Sequence, residues 1–259
     1  MVRTNPVKEK LARGEKVFGC FDPLSSPEVV ELIALAGFDF VLLDNEHGPL
    51  TAETAYRLML ACEARGIEPF VRVGLQNKQE VLKFLDAGAT GIMTPQVNTV
   101  EEAKRAIAGT KFFTEGNRGL AGGRTFDFGM RGPLDTFVTP LNDRVLNMIQ
   151  FEHIDTLNEL DDMLQLPGLD VLFVGPSDLA QSLGLPGQPN HPDVTKVADE
   201  VIARCKAVGV RTGTVAYTPA LAASALDRGF DLIVAAATSL LANAAVNYLA
   251  VTKEHAANL

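Results

Sequence analysis

Ionisable residues follow several apolar runs of the chain, at the points where those runs end. Asp44 and His47 come after one such run, Arg72 lies near the end of the next, and Glu152 and Asp178 follow two later runs. A charged side chain at the end of a buried segment costs folding free energy unless it pairs with another group or takes part in the protein's chemistry. These five positions are therefore the first candidates for chemistry.

Glu152 and Asp178 suggest a metal site. Two carboxylates at neighbouring strand ends offer the oxygen ligands that a hard divalent cation prefers, and they leave positions open for water. The alternative is a pair of ordinary solvated loop acids, and the spacing alone does not exclude it.

Asp44 and His47 lie three residues apart. This spacing allows a carboxylate to orient an imidazole that acts as a general base. It equally allows Asp44 to cap the turn beside a histidine that has no function. Arg72 could bind a carboxylate or an enolate oxygen. It could also form a structural ion pair with Asp44 or Glu46, and both interpretations can hold together.

The segment Gly175-Pro176-Ser177-Asp178 predicts a tight turn into a short helix, whose free amides could hold a carboxylate. Other catalytic groups find less support. A Schiff-base enzyme needs a lysine in the active-site mouth, yet no lysine ends a predicted strand. The glycine-rich segment 119–123 is neither a dinucleotide-binding fingerprint nor a P-loop, because no strand leads directly into it. A metal-assisted mechanism with a histidine base is favoured by elimination.

The elements that must position these residues alternate along the chain. Short apolar segments, typical of buried strands, are followed by longer amphipathic ones, typical of helices. The predicted strands are Val17–Phe21, Phe38–Asp44, Glu68–Val73, Thr90–Thr94, Val145–Glu152, Asp170–Gly175, Val210–Tyr217 and Asp231–Ala235. The predicted helices cover about 27–36, 51–65, 77–87, 99–108, 155–164, 192–208, 219–228 and 238–257.

Eight strand–helix units in 259 residues predict an α/β fold, a (β/α)8 TIM barrel, with a doubly wound sheet as the alternative. In such a barrel the C-terminal strand ends carry the active site, so the candidate residues should meet there. Residues 110–144 interrupt the alternation without a clear core pattern, and we expect them to shape the outer substrate pocket. Arg118 and Arg124 in this segment are candidates for binding an anionic group, or else are structural. No domain boundary is evident, which predicts a single domain over 1–259.

Composition restricts the partners. The chain has 23 Lys and Arg against 32 Asp and Glu, a formal net charge of −9, which argues against nucleic acid. No apolar run reaches the roughly 18 residues of a membrane span, and the first residues do not form a secretory signal. Three cysteines without a C-x-x-C spacing disfavour disulfides and a zinc-thiolate site. These features predict a cytoplasmic protein.

Eight motifs occur in one order along almost the whole chain. They are Asp44-x-Glu46-His47-Gly48-Pro49, Val71-Arg72-Val73, Leu85-Asp86-x-Gly88, Pro95-x-Val97-Asn98-x-x-Glu101, Gly116-x-Arg118-Gly119, Gln150-x-Glu152, Pro167-Gly168-x-Asp170 and Gly175-Pro176-x-Asp178-Leu179. In this set the chain resembles the HpcH/HpaI aldolase family, the metal-dependent class II pyruvate aldolases.

The resemblance implies reversible cleavage of 4-hydroxy-2-oxo acids to pyruvate and an aldehyde through a pyruvate enolate. Glu152 and Asp178 match the ligands of a divalent metal ion, Mg²⁺, Mn²⁺ or Co²⁺. Arg72 matches the arginine at the keto oxygen, and His47 with Asp44 matches the pair associated with the base.

Further positions match as well. Gln150 matches a polar neighbour of the metal site, and the amides of Ser177 and Asp178 match those near the substrate carboxylate. The resemblance also implies a homo-oligomer, a hexamer built as a trimer of dimers, with the C-terminal helix at about 238–257 exchanged between copies. His153 departs from the usual threonine, and we expect it to pack. Oxaloacetate decarboxylation or other pyruvate-enolate chemistry is the alternative, and a non-catalytic binding barrel is less favoured because no expected ligand is missing.

Overall fold

Eight parallel strands pair in chain order and close into a barrel, in a computed structural model that describes residues 2–74 and 77–259. The strands are β1 Val17–Asp22, β2 Phe40–Asp44, β3 Glu68–Arg72, β4 Gly91–Thr94, β5 Leu146–Phe151, β6 Val171–Val174, β7 Arg211–Val215 and β8 Leu232–Ala236. Because β1 pairs with both β2 and β8, the sheet is closed. The predicted (β/α)8 barrel is confirmed, and the doubly wound alternative is wrong.

Helices surround this barrel and connect its strands. They are α1 Pro6–Ala12, α2 Pro27–Leu35, α3 Ala52–Arg65, α4 Lys78–Ala87, α5 Val100–Thr110, α6 Asp135–Arg144, α7 Leu160–Leu164, α8 Pro176–Ser182, α9 Pro192–Val208, α10 Pro219–Arg228 and α11 Ala237–Ala257. The helices α1 and α6 were not predicted from the sequence. One helix was predicted over 155–164, where the structure has a 3₁₀ turn followed by α7. No helix within residues 2–74 and 77–259 is long and apolar enough to span a membrane.

Helix boundaries follow local side-chain chemistry. The Thr51 hydroxyl accepts the N–H of Thr54 at the start of α3, and Gly66 ends that helix at φ 72°, where a side chain would be strained. Thr99 and Glu102 form a capping box at the start of α5, in which each side chain accepts the backbone N–H of the other residue. These ends set where each strand begins, and therefore which residues reach the C-terminal rim.

Aromatic rings from the neighbouring strands β2 and β3 pack in the barrel interior. Phe40 and Phe70 stack with ring centroids 4.5 Å apart. Neighbouring glycines make room for them, because a Cβ at Gly19 would lie 2.2 Å from the Phe40 ring and one at Gly91 would lie 2.5 Å from the Phe70 ring. The interior is therefore a packed core, as in other barrels of this type.

Residues 110–144 lie at the N-terminal end of the barrel, away from the candidate site. They leave α5 where that helix ends and lead into the start of β5, so they join elements at the end opposite the C-terminal rim. Within this segment Phe112, Phe126, Phe137 and Leu141 form a small apolar core of their own. We expected this segment to shape the outer substrate pocket, but it does not line the cavities at the C-terminal rim of the same barrel, so the expectation is wrong for that pocket.

The two arginines of this segment have structural partners there. Arg118 pairs with Asp86 at 2.9 Å, with its guanidinium over the Phe112 ring. Arg124 pairs with Glu63 near the end of α3. Both lie at the N-terminal end of the barrel, so neither contacts the cavity at the C-terminal rim of this chain.

Asp22, the last residue of β1, is a fully buried acid with incomplete hydrogen bonding. Its Oδ1 accepts the N–H of Leu24 at 2.9 Å, while Oδ2 has no partner within the described part of the chain. Burial raises the pKa of Asp22 above its ordinary value, because the charged form loses its hydration. The folded protein therefore keeps a proton here at pH values where the unfolded chain has released it.

Replacing Asp22 by asparagine should stabilise the protein increasingly as the pH rises. Below the ordinary pKa both side chains are neutral and the two proteins should be alike. Above it, the wild type loses stability until the raised pKa of the folded state is passed, whereas the variant does not. Urea unfolding at about pH 4 and about pH 8 measures the difference. Asp227→Asn, at an exposed acid, is the control, and an equal effect of Asp22→Asn at both pH values would contradict the prediction.

Candidate active site

A cavity of about 510 Å³ opens at the C-terminal ends of the strands. It is lined by most of the residues that the sequence singled out: Asp44, His47, Arg72, Gln150, Ser177 and Asp178. Glu152 borders an adjoining cavity of about 440 Å³, which His47 and Asp178 also border. The structure therefore brings all seven candidate positions to one end of the barrel.

Arg72 is held by two carboxylates. The pairing of β2 with β3 places Asp44 opposite Arg72. Nε and Nη2 of Arg72 donate to the two carboxylate oxygens of Asp44 at 2.9 and 2.6 Å, and Nη1 of Arg72 lies 3.2 Å from Oε2 of Glu46. The Phe21 ring lies under the guanidinium, 4.6 Å away. These contacts fix the plane of the guanidinium, and within the described residues two of its five N–H groups remain for a ligand.

Asp44 contacts the main chain of His47 rather than its imidazole. Its Oδ1 accepts the backbone N–H groups of Glu46 and His47 at 3.1 and 3.3 Å. The imidazole is 68% exposed, and its Nε2 lies 4.0 Å from Oε2 of Glu46. Asp44 therefore caps the turn and binds Arg72 at once, so it positions both groups without a direct bond to the imidazole.

Glu152 is buried, and both of its carboxylate oxygens accept hydrogen bonds. Its Oε1 accepts the N–H of Gln96, and its Oε2 accepts Nε2 of Gln150 at 2.6 Å. Gln96 adopts φ 54°, a region that non-glycine residues rarely occupy, and strain of this kind concentrates at functional sites. Burial raises the pKa of Glu152, with Glu46 and Asp178 acting in the same direction and the Gln96 amide opposing them.

The charges around Glu152 fit a cation. Four acids gather at this end of the barrel: Asp44, Glu46, Glu152 and Asp178. Arg72 is the cation among them, and it borders the larger cavity together with Asp178. Oε1 of Gln150, a residue only 3% exposed, has no hydrogen-bond partner in the described residues, so the site accepts a further donor. Within residues 2–74 and 77–259 no three His, Cys, Asp or Glu side chains form a metal-ligating group. Glu152 and Asp178 would thus leave the remaining positions to oxygens of the substrate and of water.

The short helix α8 presents backbone donors to the same cavity. It starts at Pro176, and no side chain caps its first turn. The amides of Ser177 and Asp178 fall within that turn, where helix geometry supplies no acceptor. They are therefore available to an acceptor such as a carboxylate.

The structure adds residues that the sequence analysis did not select. Tyr217 follows β7, and Thr238 and Ser239 lie in the first turn of α11; all three line the larger cavity. The strand-end rule that selected Asp44 and Asp178 also points to Tyr217, which was included in a predicted strand. His153, which was expected to pack, instead borders the smaller cavity with its side chain 44% exposed, and its Nδ1 accepts the N–H of Asp155 at the start of a 3₁₀ turn.

Residues 17–244 match the model of the family described as HpcH/HpaI aldolase/citrate lyase. The chain belongs to this family. It is 32% identical over 238 residues to the 2-keto-3-deoxy-L-rhamnonate aldolase of Klebsiella pneumoniae subsp. pneumoniae, covering 92% of this chain and 89% of that protein. An HpcH/HpaI aldolase/citrate lyase family protein of Burkholderia cenocepacia is 34% identical, with a TM-score of 0.91 over 96% of this chain and 100% of that one.

A second solved structure, that of the citrate synthase SbnG, is 27% identical with a TM-score of 0.86, over 96% of this chain and 98% of that one. The family resemblance predicted from the motifs is confirmed. This HpcH/HpaI family member is a class II aldolase, a carbon–carbon lyase of a family that depends on divalent metal ions. The hypothesis of a non-catalytic barrel is therefore set aside.

Proposed function

We propose that the protein reversibly cleaves 4-hydroxy-2-oxo acids into pyruvate and an aldehyde through a pyruvate enolate. The observation that carries this proposal is the fixed guanidinium of Arg72, which shares one cavity with the free amides of Ser177 and Asp178. A 2-oxo acid has a carboxylate for the amides and a keto oxygen for the arginine. The relatives named 2-keto-3-deoxy-L-rhamnonate aldolases support a substrate of this class.

Arg72 stabilises the charge that develops on the keto oxygen. As the bond between C3 and C4 breaks, its electron pair moves into the enolate, and negative charge accumulates on the C2 oxygen. A donor held in place before the reaction favours this charged state without reorganising. Asp44 and Glu46 keep the guanidinium in that position.

His47 moves the proton. In the cleavage direction it removes the proton from the C4 hydroxyl, so that the C4 carbon leaves as an aldehyde. The enolate then takes up a proton at C3 to become pyruvate. The exposed imidazole beside both cavities has the access to water that proton exchange needs.

Glu152 and Asp178 would hold the divalent metal ion, with Mg²⁺, Mn²⁺ and Co²⁺ as the candidates. When bound, such an ion supplies Lewis-acid polarisation of the substrate carbonyl. Gln150 orients Glu152 through its Nε2, and its unpartnered oxygen can accept a hydrogen bond from a bound water or hydroxyl.

The proposal is tested by incubating the enzyme with pyruvate and a hydroxyaldehyde in the presence of Mg²⁺ or Mn²⁺. We expect an aldol product by NMR, and exchange of the pyruvate methyl protons in D₂O when the aldehyde is omitted. EDTA should abolish both. Activity that survives complete chelation would contradict the metal requirement, and the absence of both product and exchange would contradict the proposed function. Oxaloacetate, assayed in parallel, compares decarboxylation with aldol cleavage by kcat/KM.

We propose that the enzyme is a cytoplasmic homo-oligomer, and that α11 packs against another copy. In this 21-residue helix only Ala237 is buried, and apolar side chains such as Leu241, Val246 and Tyr248 are more than half exposed. Exposed apolar stripes of this kind mark interaction surfaces. A hexamer built as a trimer of dimers, with α11 exchanged, is the assembly that the family resemblance supports, and light scattering measures its mass.

A further inference from the structure

The larger cavity continues beyond the part that pyruvate would occupy. Pyruvate between Arg72 and the amides of Ser177 and Asp178 leaves free the side formed by the ends of β7, β8 and β1. The aldehyde must reach the enolate carbon, which lies next to Arg72. Arg72 lines the larger cavity but does not line the smaller cavity. The aldehyde therefore occupies the space of the larger cavity that pyruvate leaves free.

This remaining space has an apolar wall and a rim of hydroxyl groups. Val215 and Ala236 contribute the wall. The hydroxyls belong to Tyr217, Thr238 and Ser239, on the two consecutive segments that follow β7 and β8. An apolar wall beside convergent donors is the usual arrangement of a small-molecule subsite, in which a few polar groups set orientation and specificity.

Tyr217 is the central residue of this rim. It is 46% exposed and lines the same cavity as Arg72 and Asp178, which places it close to the reacting groups. A phenol with its ordinary pKa of about 10 is protonated at neutral pH and can donate, and burial shifts the pKa of Tyr217 further upward. No hydrogen bond from this hydroxyl joins it to any residue of the ranges 2–74 and 77–259.

We infer that Tyr217, assisted by the hydroxyls of Thr238 and Ser239, is a specificity-determining residue that binds a hydroxyl group of the acceptor aldehyde. The inference rests on the proposed aldolase function and names its acceptor class, a short aldehyde with a hydroxyl beside the carbonyl. The Tyr217 hydroxyl donates to that hydroxyl, which the deoxy aldehyde lacks. A subsite built to hydrogen-bond a hydroxyl discriminates against an analogue without it more strongly than an apolar pocket discriminates by size.

Tyr217→Phe tests this inference, because it removes only the hydroxyl. The measurement is kcat/KM for aldol addition of pyruvate to lactaldehyde and to propanal, which differ by one hydroxyl. We expect the variant to lose roughly 10-fold in kcat/KM for lactaldehyde, the effect of one hydrogen bond, and to keep its value for propanal. Thr238→Val should act in the same direction. Tyr56→Phe, at a partly exposed tyrosine of α3 that borders neither cavity, is the matched control and should change neither value.

Exchange of the pyruvate methyl protons in D₂O separates this inference from the proposed function. The exchange forms the enolate without an acceptor, so it should be the same in the wild type and in Tyr217→Phe. An unchanged ratio between the two aldehydes, or an equal loss for both, would overturn the role of Tyr217. Loss of exchange in the variant would overturn it as well, because Tyr217 would then act on the enolate. No exchange in the wild type would overturn the proposed function and this inference together.

Discussion

Replacing Glu152 by glutamine should remove metal binding and lower kcat by at least about 10²-fold. The substitution keeps the shape of the side chain but removes one of the two carboxylates offered to the cation. It also replaces one accepting oxygen by a donor, and Gln150 can meet this donor with its Oε1, which has no partner within the described residues. Titration with Mn²⁺, followed by electron paramagnetic resonance or calorimetry, measures the loss directly.

Glu101→Gln is the control for this experiment. Glu101 is an exposed glutamate of α5 that pairs with Lys104 and borders neither cavity, so its loss should change neither metal affinity nor turnover. The thermal stability of Glu152→Gln should not fall, because the substitution removes a buried acid whose charged form is disfavoured by burial. A variant that binds Mn²⁺ as tightly as the wild type would contradict the assignment of Glu152 as a ligand.

Replacing Arg72 by lysine should lower kcat by about 10²–10³-fold while leaving metal binding intact. Lysine keeps the positive charge but cannot make the two-pronged contact with Asp44, and its single ammonium group cannot face Asp44, Glu46 and the keto oxygen together. The loss concerns charge that develops during the reaction, so kcat should fall more than the affinity for pyruvate. Steady-state kinetics, with Mn²⁺ titration of the same variant, separate the two effects.

Arg204→Lys provides the comparison. Arg204 pairs with Asp161 on the outer surface, through α9 and α7, and has no contact with the cavity. A similar loss of kcat in both variants would show that the effect of Arg72→Lys is structural. A loss of Mn²⁺ affinity in Arg72→Lys would show that the arginine maintains the metal site rather than the enolate.

The position of the site could be predicted from the sequence because two simple patterns determine it. Strand-like apolar runs alternate with helical patterns, and charged residues such as Asp44, Arg72 and Asp178 appear where the runs end. Parallel strands of a closed barrel finish at one rim, so residues far apart in the chain must meet there. The boundaries of all eight strands were predicted to within two residues on this basis.

The choice of partner within the site could not be predicted in the same way. Spacing along the chain allowed Asp44 to contact the His47 imidazole or to cap the turn and bind Arg72. These arrangements differ by side-chain rotations and by a few ångströms, which depend on the register of β2 against β3. Periodicity carries no information about that register once both faces of a strand are buried.

Residues 110–144 show a second kind of limit. Their small core is formed by Phe112 and Phe126 together with two residues of α6. Phe112 and Phe126 come from irregular and 3₁₀ segments with no regular period, so no pattern identified them as buried. The end of the barrel at which residues 110–144 lie could have been predicted, because a segment between a helix and the following strand of such a barrel lies at its N-terminal end.

The stacked rings of Phe40 and Phe70 limit how substrates can vary. These rings already fill the space beside the glycines of the adjacent strands. Phe21 and Phe173, which line the cavity, meet edge to face with their ring centroids 6.4 Å apart. The floor of the cavity therefore cannot deepen without opening a void in the barrel. Longer or bulkier acceptors must extend sideways and upward over Tyr217, so changes in substrate range are expected from rim residues, while the chemistry below stays the same.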